Sequence, residues 1–125
     1  MIYADNAATT RISDKAFEKM LPFLREQYGN ASSQYSLGAK AKRAIEHARE
    51  QVALAIGAKT VEITFTSGGS EANSWLLQGI AELFGGESIH IITSSIEHHS
   101  VLNACRALED KSTEVTYLPV DGSGR

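Results

Sequence analysis

The sequence predicts an α/β fold, with a mainly parallel sheet and flanking helices. Two observations carry that expectation. After residue 57, short runs with strand period alternate with helix-period segments of ten or more residues, and such alternation implies crossover connections between parallel strands. The composition agrees: 42% apolar and 22% charged residues in a chain of 125 are ordinary for one modest globular domain able to bury a core.

Residues 1–12 read as an extended arm without helical periodicity. A helical part spans 13–57. Ser13 stands where an N-cap belongs, Asp14 adds negative charge to the first turn, and a helix is expected through about Tyr28. Pro22 is expected to kink or split it, and Gly29 to end it. The loop Gly29-Asn30-Ala31-Ser32-Ser33-Gln34-Tyr35-Ser36 follows. From Leu37 to Ile56, Ala41, Ile45, Ala48, Val52 and Ile56 recur at helical steps, and Gly57 suits a left-handed C-terminal cap.

Residues 58–125 read as the first part of an α/β domain. Val61, Ile63 and Phe65 alternate with Glu62, Thr64 and Thr66, which predicts a first strand. A Ser67-Gly68-Gly69 turn opens a helix from Ser70 to about Phe84, broken at Gly85-Gly86. Ile89–Ile92 is expected as a short buried strand, His98 to about Leu108 as a helix, and Val115–Leu118 as a third strand. No helix follows that strand to cover the sheet, so the chain reads as the beginning of something longer.

Several function classes are excluded at this level. Residues 1–57 carry +2 and residues 58–125 carry −5, within a net charge of −3. No basic stripe is present to release counterions from nucleic acid, and Lys40, Lys42 and Arg43 read as the wet face of a helix. No apolar run spans a membrane and the first residues are too charged for a signal peptide, which points to the cytoplasm. The single cysteine, Cys105, excludes an internal disulfide and reads as inert helical core. No metal site is expected, because adjacent histidines on a helix point about 100° apart.

The strongest chemical signal is Phe65-Thr66-Ser67-Gly68-Gly69-Ser70-Glu71-Ala72-Asn73, a strand-to-helix turn. Unpartnered N–H groups at a helix start, backed by the dipole, form a phosphate cradle when glycines allow close approach. Gly69 and Ser70 are the candidate donors. A tight turn with a serine cap explains the same residues, and so does a serine-hydrolase elbow at Ser70, although only Glu71, Glu82, Glu87 and Glu97 lie between it and His98 and no histidine follows the first later aspartate, Asp110. The second signal is Ser95-Ile96-Glu97-His98-His99-Ser100-Val101-Leu102. At the carboxyl end of a parallel strand, the flat ring of His98 suits stacking on an aromatic ligand or proton transfer. The bland alternative makes His98 and His99 cap and surface residues.

Together these segments resemble a known family. Tyr3-Ala4-Asp5-Asn6-Ala7-Ala8-Thr9-Thr10, Gly29-Asn30-Ala31-Ser32-Ser33, Thr66 to Asn73 and Glu97 to Leu102 are similar, in order, to four motifs of the cysteine desulfurases. These are pyridoxal 5'-phosphate enzymes of the class V aminotransferases. The resemblance implies part of the large domain of the type I aminotransferase fold. It implies that Gly69 and Ser70 hold the cofactor phosphate, and that His98 stacks on the pyridine ring and takes part in proton transfer. It further implies L-cysteine as substrate, alanine and an enzyme-bound persulfide as products, a homodimer, and a sulfur-acceptor or scaffold protein as partner in iron–sulfur or thio-cofactor assembly.

Ala31, Tyr35 and Ser70 depart from the family's usual proline, histidine and threonine. The family's cofactor-anchoring lysine, set in Ser-x-His-Lys, has no match among Lys15, Lys19, Lys40, Lys42, Lys59 and Lys111, none of which follows a histidine. Its persulfide cysteine, its aspartate for the pyridine nitrogen and its arginine for the substrate carboxylate are likewise expected beyond Arg125, so the 125 residues alone are expected to be inactive. A partner-binding module without catalysis, or another class V transaminase or lyase, are the rival readings.

Overall fold

The structure, a computed structural model, describes residues 2–84, 88–109 and 113–125, and the expected helix break at Gly85-Gly86 lies outside them. The chain divides into two compact units, Met1–Thr64 and Phe65–Arg125.

In the first unit, the arm contains a turn closed by the Ala8 N–H on the Asp5 carbonyl, 3.1 Å. Helix α1 spans Asp14–Arg25. Ser13 caps it as expected, its Oγ accepting the Ala16 N–H at 3.2 Å. Pro22 does not split α1. The helix ends three residues later, before Gly29, where the N–H groups of Glu26 and Gln27 both bond to the Pro22 carbonyl at 2.9 and 2.8 Å. Helix α2 spans Ser36–Ile56 and ends on Gly57 at φ 71°, in the left-handed region.

The expected strand over Val61–Phe65 is corrected. Thr60–Glu62 is a short 3-10 turn, and Val61 is 88% exposed. Local bonds win over the alternation. The Glu62 carboxylate accepts the Lys59 N–H at 2.7 Å, the Glu62 N–H returns to the Lys59 carbonyl at 2.9 Å, and Arg49 donates to the Ile63 carbonyl at 2.5 Å. These local bonds fix the Thr60–Glu62 turn, and no neighbouring strand among the described residues pairs with the segment.

In the second unit, α3 (Gly69–Leu83) is followed by β1 (His90–Ser94), α4 (His99–Glu109) and β2 (Glu114–Leu118). The strands pair in parallel, from His90 opposite Glu114 to Ser94 opposite Leu118, with α4 as the crossover. α4 packs on both α3 and β2. The core lies on its inner stripe, where Leu102, Cys105 and Leu108 recur at three-residue steps beside Ala104. Cys105 is fully buried, as the sequence suggests. Burial pushes its thiol above the ordinary range, and the Glu109 charge adds to the shift. β1 is less covered than expected, because Ile92 is 61% exposed.

Candidate functional site

Gly69, Ser70 and His98 all lie in the second unit, and one groove between α3 and α4 is lined by Ser70, His98 and His99 among others. The start of α3 forms one end of it. Gly68 is the N-cap residue, and no side chain caps the helix. The first helical bond is the Ala72 N–H to the Gly68 carbonyl at 3.2 Å. The N–H groups of Gly69, Ser70 and Glu71 therefore find no acceptor among the described residues, as the first turn of a helix requires. The serine-capped turn is thus not what forms here.

A Cβ at Gly68 or Gly69 would meet no atom of the described residues within 4 Å. Neither glycine is required there by close packing against the described residues. Thr66 tightens the turn by donating its hydroxyl to the Gly68 carbonyl at 3.2 Å.

Glu71 is a contributor that the motif alone did not reveal. It stands three residues inside the cap, and its carboxylate accepts the Ser67 N–H at 2.5 Å, in the manner of a capping box displaced by one residue. That bond, with the Ser67 hydroxyl second, lowers the carboxyl pKa below its ordinary value. A group depressed in the fold stabilises it at pH above the unfolded value, and the contribution fades as pH falls through the folded value. We expect the carboxyl carbon resonance of Glu71 to titrate below the ordinary glutamate range, with the Ser67 amide resonance moving in step. An ordinary carboxylate midpoint for Glu71 would contradict this.

His98 forms the other wall. It is the residue before α4, and its Nδ1 accepts the Ser100 N–H at 3.1 Å while lying 2.9 Å from the Ser100 hydroxyl. The ring is exposed and caps the helix, as the cap-and-surface alternative has it. Because Nδ1 accepts, Nε2 carries the proton of the neutral ring. A hydrolase triad needs the reverse, with Nδ1–H donated to a carboxylate; the elbow reading of Ser70 therefore falls. The His99 ring is tilted 53° to that of His98 with centroids 6.3 Å apart, and no group of three metal-ligating side chains exists among the described residues. No helix among them is long and apolar enough to cross a membrane.

The family described as "Aminotransferase class-V" matches residues 2–125. The chain is 50% identical over 123 residues to "Cysteine desulfurase IscS" of Dictyoglomus turgidum, covering 98% of this chain and 31% of that protein. The protein of the same description from Methanosarcina thermophila is also 50% identical over 123 residues, covering 98% of this chain and 30% of its own length. Among solved structures, a "NIFS-LIKE PROTEIN" superposes with a TM-score of 0.86 at 44% identity, over 94% of this chain and 32% of that one. The cysteine desulfurase from Thermococcus onnurineus NA1 does so with a TM-score of 0.82 at 30% identity, over 99% and 31%. The chain thus spans about a third of the length of the relatives it matches. Its architecture is that of the type I aminotransferase-like fold, with parallel strands and flanking helices. A match over residues 2–125 shows that the chain belongs to the class V aminotransferase family.

Proposed function

We propose that this chain is the cofactor-gripping part of a pyridoxal 5'-phosphate-dependent cysteine desulfurase. The observation that carries the reading is the set of unpartnered N–H groups at Gly69 and Ser70, at the start of the groove that His98 also lines. These donors and the Ser70 hydroxyl suit the phosphate, with the α3 dipole behind them. The exposed imidazole of His98 suits the pyridine face, with Nε2–H left as its donor. When bound, the cofactor supplies an electron sink for bonds broken at the α-carbon of an amino acid.

On this reading the substrate is L-cysteine, and the products of the complete activity are L-alanine and a protein-bound persulfide. The persulfide passes to a sulfur-acceptor or scaffold protein for iron–sulfur cluster or thio-cofactor assembly, from a homodimer in the cytoplasm. Cys105 is not the sulfur carrier, since its thiol is buried and pushed away from the thiolate. None of the chain's lysines stands in Ser-x-His-Lys, so the 125 residues by themselves hold the cofactor without a covalent bond and do not turn over L-cysteine.

Equilibrium dialysis with pyridoxal phosphate tests the reading. Ser70→Ala removes a donor to a charged group and should weaken binding about tenfold. His98→Ala removes a stacking face and should weaken it by roughly three- to tenfold. Pyridoxal without its phosphate should bind more weakly than the phosphate ester. Equal binding of the two forms, or binding indifferent to both substitutions, would overturn the assignment.

A further inference from the structure

The second helix wall of the groove carries a polar chain that leads to His98 from the opposite helix. Asn73, in the first two turns of α3, donates its side-chain N–H to the Ser100 Oγ at 2.9 Å, and this bond is partly buried. The Ser100 Oγ in turn lies 2.9 Å from His98 Nδ1. The direction of each bond follows from the chemistry of the groups. An amide nitrogen only donates, so the Ser100 oxygen accepts there and its own hydrogen is left to donate. The acceptor in reach is His98 Nδ1, which already takes the Ser100 backbone N–H at 3.1 Å.

We propose that Asn73 and Ser100 are positioning residues that fix the tautomer of His98. Two donors converge on Nδ1, so a proton there would meet both head-on, and the neutral ring keeps its proton on Nε2. Asn73 acts at one remove, by occupying the hydroxyl oxygen and thereby orienting the hydroxyl hydrogen toward the ring. α3 thus contributes to the groove twice, through its first N–H groups and through this relay. The use of a fixed Nε2–H donor rests on the proposed role of His98 toward the cofactor; the tautomer itself does not.

Long-range proton–nitrogen correlation spectra of the full chain test this without any cofactor. The chain has four histidines, so the His98 nitrogens are assignable by loss in His98→Ala. In the wild-type chain at a pH where the ring is neutral, Nδ1 should show the unprotonated signature and Nε2 the protonated one. Ser100→Ala keeps the backbone donor and removes the hydroxyl; the tautomer ratio should fall by about two- to tenfold, the range set by one net hydrogen bond. Asn73→Asp should act in the same direction, because a carboxylate only accepts and draws the hydroxyl hydrogen away from the ring. Ser100→Thr should restore the wild-type ratio. A purely structural role for these residues would change stability and leave the ratio alone, so an unchanged ratio in Ser100→Ala and Asn73→Asp, with backbone spectra that remain folded, would overturn the proposal. Cofactor binding measured separately on the same variants distinguishes failure of this relay from failure of the functional reading.

Discussion

Gly38→Ala is expected to destabilise the first unit by about 3 kcal/mol, the upper part of the usual range for forcing atoms into a packed site. Gly38 is buried in the first turn of α2. A Cβ there would sit 2.5 Å from the Ser33 carbonyl oxygen and 2.6 Å from that of Asn30. Both are backbone atoms, and the loop that carries them has no slack. The Ser33 N–H bonds to the Asn30 carbonyl at 3.0 Å, and the Ser32 N–H to the Asn30 side-chain oxygen at 2.9 Å. The methyl group must therefore move the whole loop. Gly57→Ala is the control, because its φ of 71° costs an L-residue about 1 kcal/mol while nothing stands within 4 Å of the added carbon. Urea unfolding followed by helical circular dichroism should rank Gly38→Ala well below Gly57→Ala in stability. Equal losses would mean that the loop yields and that the close approach has no energetic weight.

Leu108→Ala should cost the second unit about 3 kcal/mol, within the 2–5 typical of a buried leucine. Leu108 is 1% exposed and is one of the two largest fully buried side chains, with Cys105. The described core of this unit is short, so few side chains can close on the cavity. Tyr117, on β2, has its hydroxyl shut off from solvent. Burial raises its pKa, and the nearby Glu109 charge adds to the rise. The single tryptophan, Trp75, lies on α3 and reports on this unit by fluorescence. Leu76→Ala, at a mostly exposed position on the same helix, should stay within about 0.5 kcal/mol of the wild type. A Leu108→Ala variant as stable as Leu76→Ala would show that α4 is not the core of its unit.

The helices were legible because their signals are local. Ser13 and Gly57 cap the ends that their chemistry suits, and the apolar stripe of α2 has the helical period. The Val61–Phe65 alternation misled because period alone does not supply a neighbouring strand. The decisive contact there is Glu62 with the Lys59 N–H, a side-chain bond that competes with any ladder. The candidate site divides in the same way. Gly69, Ser70 and His98 could be named from their motifs, since a glycine-flanked helix start and a histidine after a strand announce themselves along the chain. The bond from Asn73 to Ser100 could not. Asn73 and Ser100 are 27 residues apart and meet only because α3 packs against α4.

Ser100 addresses the same ring nitrogen with two donors of unequal permanence. Its backbone N–H survives any substitution except proline, whereas its hydroxyl is lost with a single change. The anchorage of the imidazole is therefore nearly immune to mutation at this position, while the arrangement of its proton is heritable and adjustable. Drift at one codon can retune the histidine's donor pattern without setting the ring adrift, which separates what selection must preserve here from what it is free to vary.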